Sequence, residues 1–219
     1  MPANVIRVLG VDPASAGATG YAVIDGCGSR CATVHYGILP AARNATNNMP
    51  ARLRQIYTET ASLIEKYQPD QVALEAIFAA LNVRTALRLA EVRGVILLAA
   101  AQSNLPVHSY SPRQVKATIA GYGHATKEQI QHMVRALLGL EEIPQPTHAA
   151  DALAVALCHL RFAQMEAKFG APPSALVPAR NARPAAAIRI SATAIRAAAI
   201  PSTIAKRNTS RAPRVLSAR

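Results

Sequence analysis

Hydrophobic and polar positions along this chain switch between a period of two and a period near 3.6, and the changeovers mark its elements. The first run, Val5-Ile6-Arg7-Val8-Leu9-Gly10-Val11-Asp12, is rich in Val and Ile, which suit a buried strand, and it stops at Pro13, which cannot continue a ladder. Tyr21–Ile24 and Ala32–Ile38 read as further strands separated by small-residue turns, so this part of the chain predicts an antiparallel meander. Pro50 suits the first turn of a helix in which Leu53, Ile56, Tyr57, Thr60, Ile64 and Tyr67 recur at helical spacing; Arg52, Arg54, Glu59 and Glu65 are expected on its other faces. Gln68-Pro69-Asp70 ends that helix, and Gln71–Glu75 is an apolar strand ending in a carboxylate. Strand, helix, strand predicts a parallel crossover.

A long alanine-rich helix follows from Asn82 to Ala101, with Ala86, Leu89, Val92, Val95, Ile96 and Ala99 on its apolar face, and then a short strand at Pro106–Tyr110. Ser111 before Pro112 signals one helix start, and Thr126 with Gln129 three residues on signals another, a capping-box pattern that leads to about Leu138. The last helix is expected from Thr147 to about Ala167. From Gly170 the prolines and the Ala/Arg/Ser composition remove sustained periodicity. The expected organisation is therefore one folded domain, residues 1–168, and a basic Ala/Pro/Arg-rich extension, residues 169–219, without regular structure.

Composition changes this picture in three ways. No apolar run reaches the roughly 18–20 residues that span a bilayer, and the N-terminus lacks the basic-then-apolar pattern of a signal peptide, so no membrane is expected and the localisation is expected to be cytoplasmic. The three cysteines, Cys27, Cys31 and Cys158, form neither a CxxC pair nor a zinc-ligand spacing and are expected to be reduced and structural. The net charge of +12 is unevenly placed. Residues 1–160 hold 13 Lys/Arg against 11 Asp/Glu, whereas residues 161–219 hold 11 Lys/Arg against Glu166 alone. A basic arm beside a nearly neutral domain points to a polyanionic partner, most often nucleic acid.

The acids carry the candidate chemistry. Asp12 ends the first strand, Glu75 ends the strand after the crossover, and Asp151 lies in the first turn of the last helix with His148 three residues earlier, on the same helix face. Singly each has a plain explanation: a turn residue before proline, a strand-end surface acid, a dipole complement, a capping or core histidine. Neighbouring parallel strands, however, end on one sheet edge, where Asp12 and Glu75 can lie side by side beneath the last helix. Carboxylates gathered there repel, and hard divalent cations such as Mg²⁺ prefer such oxygen ligands. With the basic arm, the set favours metal-dependent nucleic-acid chemistry.

Six blocks, in order, resemble the RuvC-type Holliday junction resolvases of the ribonuclease H-like superfamily. They are LGVDPAS…TGYAVI, QPDQVALEAIF, LRLAEVRG, YSPRQVKATIAGYG, TKEQIQHMV and HAADALAVALCH, and they cover about residues 5–164. The resemblance implies an α/β fold with a mixed five-stranded sheet, meander plus parallel strands, flanked by helices. It implies a structure-selective endonuclease that cuts four-way DNA junctions by paired symmetric nicks in recombination and repair. Asp12, Glu75 and Asp151 match the family's catalytic carboxylates, and His148 stands at a fourth position that is often Asp. Together these are expected to hold two Mg²⁺ ions, with Mn²⁺ as a substitute; one activates the attacking water and the other stabilises the leaving 3′ oxygen.

Phe78 matches an aromatic that stacks on bases at the junction centre. Lys116 and Lys127 match basic residues near the scissile phosphate, and are counted both with the catalytic set and with the DNA-binding set. Asn82, Arg84 and Arg113 complete the expected DNA-binding residues. The implied partners are four-way junction DNA, a second copy of the chain packed through the long helix from Asn82, and a branch-migration motor complex. Two features depart from the family pattern: Ala14 stands where glycine is usual, a strained position if the turn needs positive φ, and the extension has no counterpart. Three other readings are a junction-binding protein that has lost catalysis, a related nuclease acting on RNA, and an architectural DNA-binding protein driven by the basic tail.

Overall fold

The computed structural model describes residues 5–15, 17–39, 48–77 and 82–169. Three strands come first: β1 (Val5–Asp12), β2 (Gly20–Cys27) and β3 (Arg30–Ile38). Then follow α1 (Met49–Tyr67), β4 (Gln71–Glu75), α2 (Val83–Gln102), β5 (Val107–Tyr110), α3 (Pro112–Ala120), α4 (Lys127–Leu138) and α5 (Thr147–Phe169). The strands form one mixed sheet in the order β3-β2-β1-β4-β5, antiparallel from β3 to β1 and parallel from β1 to β5. This is the five-stranded arrangement expected.

The hairpin between β2 and β3 is tighter than the composition implied. Pairing continues to Cys27↔Arg30, and only Gly28-Ser29 turn the chain, with Gly28 at φ 56°. The helix starts are set by their side chains. Asn48 and Asn82 accept from backbone N–H groups of α1 and α2, and Ser111 and Thr126 form reciprocal capping boxes with Gln114 and Gln129. α5 extends to Phe169, and the remainder of the expected extension lies outside the described residues. Among the described residues no helix is long and apolar enough to cross a membrane.

The sheet has a core on each face. Leu9, Val11, Val23, Val72, Leu74 and Val107 pack with Ile56 and Ile64 of α1 and with Val92, Ile96 and Ala99 of α2. On the other face Val8, Ala22, Ile24 and Ala73 pack with α3, α4 and the buried length of α5, Ala152–Cys158 and Leu160. Because strand side chains alternate, Asp12 points to the face of Val8 and Gly10, and Glu75 to the face of Ala73. Both terminal carboxylates are thus turned toward α5.

How closely α5 approaches is decided by glycines. A Cβ at Gly20 would stand 1.9 Å from the His148 carbonyl oxygen, and one at Gly10 would stand 2.5 Å from the Ala152 carbonyl oxygen and 2.6 Å from the Ala156 Cβ. At Gly26 the obstacle is only the Leu160 side chain, at 2.6 Å. The helix backbone therefore rests on the bare backbone of β1 and β2, with Ala149, Ala152 and Ala156 keeping its own contact face low. Helix carbonyls cannot step aside as a side-chain tip can. Gly20→Ala and Gly10→Ala are each expected to cost about 1–3 kcal/mol or more, and Gly26→Ala less, in urea unfolding. Unchanged midpoints for the first two would show that α5 is free to lift.

Candidate active site

Asp12 is the last residue of β1 and is 7 % exposed. Glu75 is the last residue of β4, and the parallel register Val11↔Leu74 places the next residues, Asp12 and Glu75, beside each other. The first turn of α5 supplies His148 and Asp151 from above. His148 Nδ1 lies 3.1 Å from Asp12 Oδ2, and ligand atoms of Asp12, His148 and Asp151 all lie within 4.8 Å of one another. The contact between Gly20 and the His148 backbone, opposite Asp12 in the β1–β2 register, sets this distance.

The electrostatics are those of crowded, half-dry carboxylates. Burial, and then the Asp151 charge, push the Asp12 carboxyl up to about 7. Burial, and then the neighbouring Asp12, push Glu75 up to about 8, so that Glu75 keeps its proton longer and shares it with Asp12 by hydrogen bonding. Oxygen and imidazole donors at this spacing, short of positive charge, suit a divalent cation. The cation that the protein itself supplies is Lys127, at the start of α4, whose Nζ lies 2.7 Å from Asp151 Oδ2.

Lys127 and Lys116 line one cleft of about 210 Å³ with Glu75, Asp151, Pro112, Val115, Ile130 and Ala154. Both expected lysines therefore stand at the mouth of the acidic cluster, brought there by the caps that start α3 and α4. Arg113 is exposed on α3, its stem lying against Gly123, where a Cβ would come within 2.7 Å of it. Arg84 is exposed on α2, and Asn82 uses its Oδ1 to accept from the Thr85 N–H at 2.8 Å. Phe78 lies outside the described residues.

Two findings differ from the sequence reading. Arg52 is not on a solvent face of α1; it is 5 % exposed, and its Nη2 donates to the carbonyls of Ala14 at 2.6 Å and Gly17 at 3.1 Å. The signal was present: Arg52, Ile56, Thr60 and Ile64 form a single buried stripe at a spacing of four, and a stem as long as that of Arg can bury itself there while its head finds acceptors. Ala14 is not strained. The non-glycine residues with positive φ among those described are Gln68 and Asn104 alone, so the turn after Asp12 accepts alanine, which is buried. A residue that sequence reasoning did not single out is Arg93 of α2, which donates through Nη1 to the Glu75 carbonyl at 2.6 Å and through Nη2 to Ser109 Oγ at 2.9 Å.

The family model described as crossover junction endodeoxyribonuclease RuvC matches residues 8–159. A protein of that name from Caldicellulosiruptor saccharolyticus is 49 % identical over 156 residues, covering 71 % of this chain and 92 % of the relative. Its namesake from Thermotoga maritima is 44 % identical over 156 residues, covering 70 % and 90 %. The structure of Thermus thermophilus RuvC in complex with Holliday junction substrate superposes with a TM-score of 0.67 at 33 % identity, covering 73 % of this chain and 96 % of that one. The yeast mitochondrial Holliday junction resolvase Ydc2, at 13 % identity and a TM-score of 0.52, shares the fold. The matched span runs from within β1 into α5 and includes every residue of the acidic cluster, and the chain belongs to the RuvC family of crossover junction endodeoxyribonucleases.

Proposed function

We propose that this protein is a Holliday junction resolvase: it cuts four-way DNA junctions by metal-dependent hydrolysis of phosphodiester bonds, with Asp12, Glu75, His148 and Asp151 holding the metal. The observation that carries this reading is the meeting of Asp12, His148 and Asp151 within 4.8 Å at the end of β1, under a helix seated on bare glycine backbone. The same substrate stands in the name of the Thermus thermophilus complex. Bound in this cluster, a pair of Mg²⁺ ions supplies an activated water and charge compensation for the leaving oxygen.

The chain's own residues do the rest. Burial at the ends of β1 and β4 leaves the Asp12–Glu75 pair partly dry, so that a cation taking the place of their protons compensates charge that water there solvates poorly. Lys127, poised on Asp151, and Lys116 across the cleft meet the phosphate as negative charge develops on it. Asn82, Arg84 and Arg113 contact the DNA backbone beyond the cleft, and Phe78 stacks on bases at the crossing point. The reading in which catalysis has been lost is not favoured: Ala14, where the family usually has glycine, is unstrained, and His148, at the position that is often Asp, joins the cluster.

Paired nicks on opposite strands call for two sites related by a two-fold axis. The α2 helix offers the surface for this. Val83 is 75 % exposed, Leu87 62 % and Leu98 49 %, and with Ala90 and Gly94 they form one outward stripe on which a Cβ added at Gly94 meets open space. A second copy of α2 fits this small-residue, apolar face.

Two experiments test the reading. On a synthetic four-way junction with Mg²⁺, the wild-type chain is expected to release paired nicks, and Asp12→Asn to cut at least about a hundredfold more slowly while still binding the junction. The double variant Leu87→Glu/Leu98→Glu is expected to sediment as a monomer and lose paired cutting. Wild-type cutting by Asp12→Asn would remove the cluster from the chemistry, and a dimer that persists in the double variant would move the interface elsewhere.

A third experiment uses pH. Because Asp12 and Glu75 are raised to about 7 and about 8, the folded chain holds protons that the unfolded chain has released above about pH 4, and this pair's contribution to stability falls as pH rises between those limits. Mg²⁺ replaces those protons, so its thermal stabilisation is expected to be larger at about pH 8 than at about pH 5.5. Equal stabilisation at both would contradict metal binding by the buried pair.

A further inference from the structure

Two arginines reach the acid-bearing strand ends from the helices on the other face of the sheet. Each lies where the ladder runs out. β1 stops pairing at Asp12↔Gly20, and β4 at Glu75↔Tyr110 with one more bond from the Ala76 N–H to the Tyr110 carbonyl. Past these points no strand fixes the main chain, and side-chain donors take over. Arg52 of α1 ties the turn directly after Asp12 through the carbonyls of Ala14 and Gly17, and the Ala14 N–H is aimed at Thr19 Oγ1, 3.4 Å away, closing the turn on itself. Arg93 of α2 ties the carbonyl of Glu75 itself and anchors that bond to Ser109 on β5.

Neither guanidinium has a carboxylate partner among the ion pairs of the described residues. Burial lowers the pKa of both, and the nearby Arg88 adds to this for Arg52, so each charge is held at a cost. A buried charge without a counter-ion is retained only where its hydrogen bonds compensate. Here three of the four bonds go to main-chain oxygens at, or just after, the two central carboxylates, the fourth goes to the Ser109 hydroxyl, and α1 and α2 provide rigid supports.

We propose that Arg52 and Arg93 are positioning residues, a two-point clamp that aligns the Asp12 and Glu75 carboxylates for a divalent cation before the cation arrives and without touching DNA. The inference rests on the metal-dependent reading above. The two points differ in geometry. Arg52 serves both carbonyls from one nitrogen, which a lysine ammonium can imitate, whereas Arg93 spans two acceptors with two nitrogens, which a single ammonium cannot.

The test is Mn²⁺ binding to the full chain, followed by the electron paramagnetic resonance signal of free Mn²⁺, alongside junction binding in chelator and thermal unfolding. Arg52→Met, Arg93→Met and Arg93→Lys are each expected to weaken Mn²⁺ binding by about tenfold to a hundredfold, while Arg52→Lys restores most of the affinity. Junction affinity in chelator is expected to stay at the wild-type value for all four. Should Arg93→Met fail to fold, Ser109→Ala keeps the charge and the packing, and is expected to show a severalfold weaker Mn²⁺ affinity. Wild-type Mn²⁺ affinity in the Arg93 variants or in Ser109→Ala overturns the clamp. Loss of junction affinity in chelator overturns it too, by making the arginines DNA contacts. A wild-type chain that binds no Mn²⁺ overturns the metal reading and the clamp with it.

Discussion

The site depends on bare backbone. α5 meets the sheet where Gly10 and Gly20 present no side chain, and the His148 carbonyl occupies the space that a β-carbon at residue 20 would need. Register does the rest: residue 20 faces Asp12 across the β1–β2 ladder, so a helix seated there delivers its first turn onto that carboxylate. Two ligands from one end of the chain and one from the other then meet, although His148 and Asp12 are 136 residues apart. Packing of this kind is less forgiving than a hydrophobic contact, because the groups in contact are main-chain atoms held by their own hydrogen bonds.

Around this seat the protein arranges charge in layers. The inner layer is acidic and partly dry, Asp12 with Glu75, and its mutual repulsion is what makes a cation welcome. The next layer is basic and faces the opening, Lys127 and Lys116, where a phosphate approaches. Behind the sheet ends stand Arg52 and Arg93, which act on backbone carbonyls. Two kinds of positive group thus flank one negative cluster, the lysines at its opening and the arginines behind it. Lys127 reaches the cluster through Asp151 at the cleft mouth, whereas each arginine stands on a helix that also carries core residues and is tied to main-chain oxygen at the strand ends.

Much of this was legible in the chain. The β-branched runs, the prolines and caps at helix starts and the capping box at Thr126 mark the ten described elements within a few residues, because those signals are local. The strand-end acids were legible only as a set: each alone has a plain structural use, and it is their gathering at one sheet edge beneath the last helix that points to a cation. What escaped were relations that no local window holds. Arg52 reads as a polar interruption of an amphipathic helix until the acceptors are known to come from the turn after β1. Arg93 sits in a helix whose sequence says nothing of Glu75. Gly10 looks like an ordinary strand glycine and Gly20 like a turn glycine until α5 is laid across them. The doubt over Ala14 turned on one backbone angle, which composition cannot supply.

The central claim is that the helix seat creates a metal pocket from Asp12, Glu75, His148 and Asp151. Anomalous diffraction from crystals soaked in Mn²⁺ tests it most directly. The account predicts manganese density coordinated by carboxylate oxygens of Asp12 and Asp151 at the end of β1, with Glu75 and the His148 ring completing the shell. Density bound by other acids of the chain, away from the β1 end, with none between β1 and α5 would contradict it.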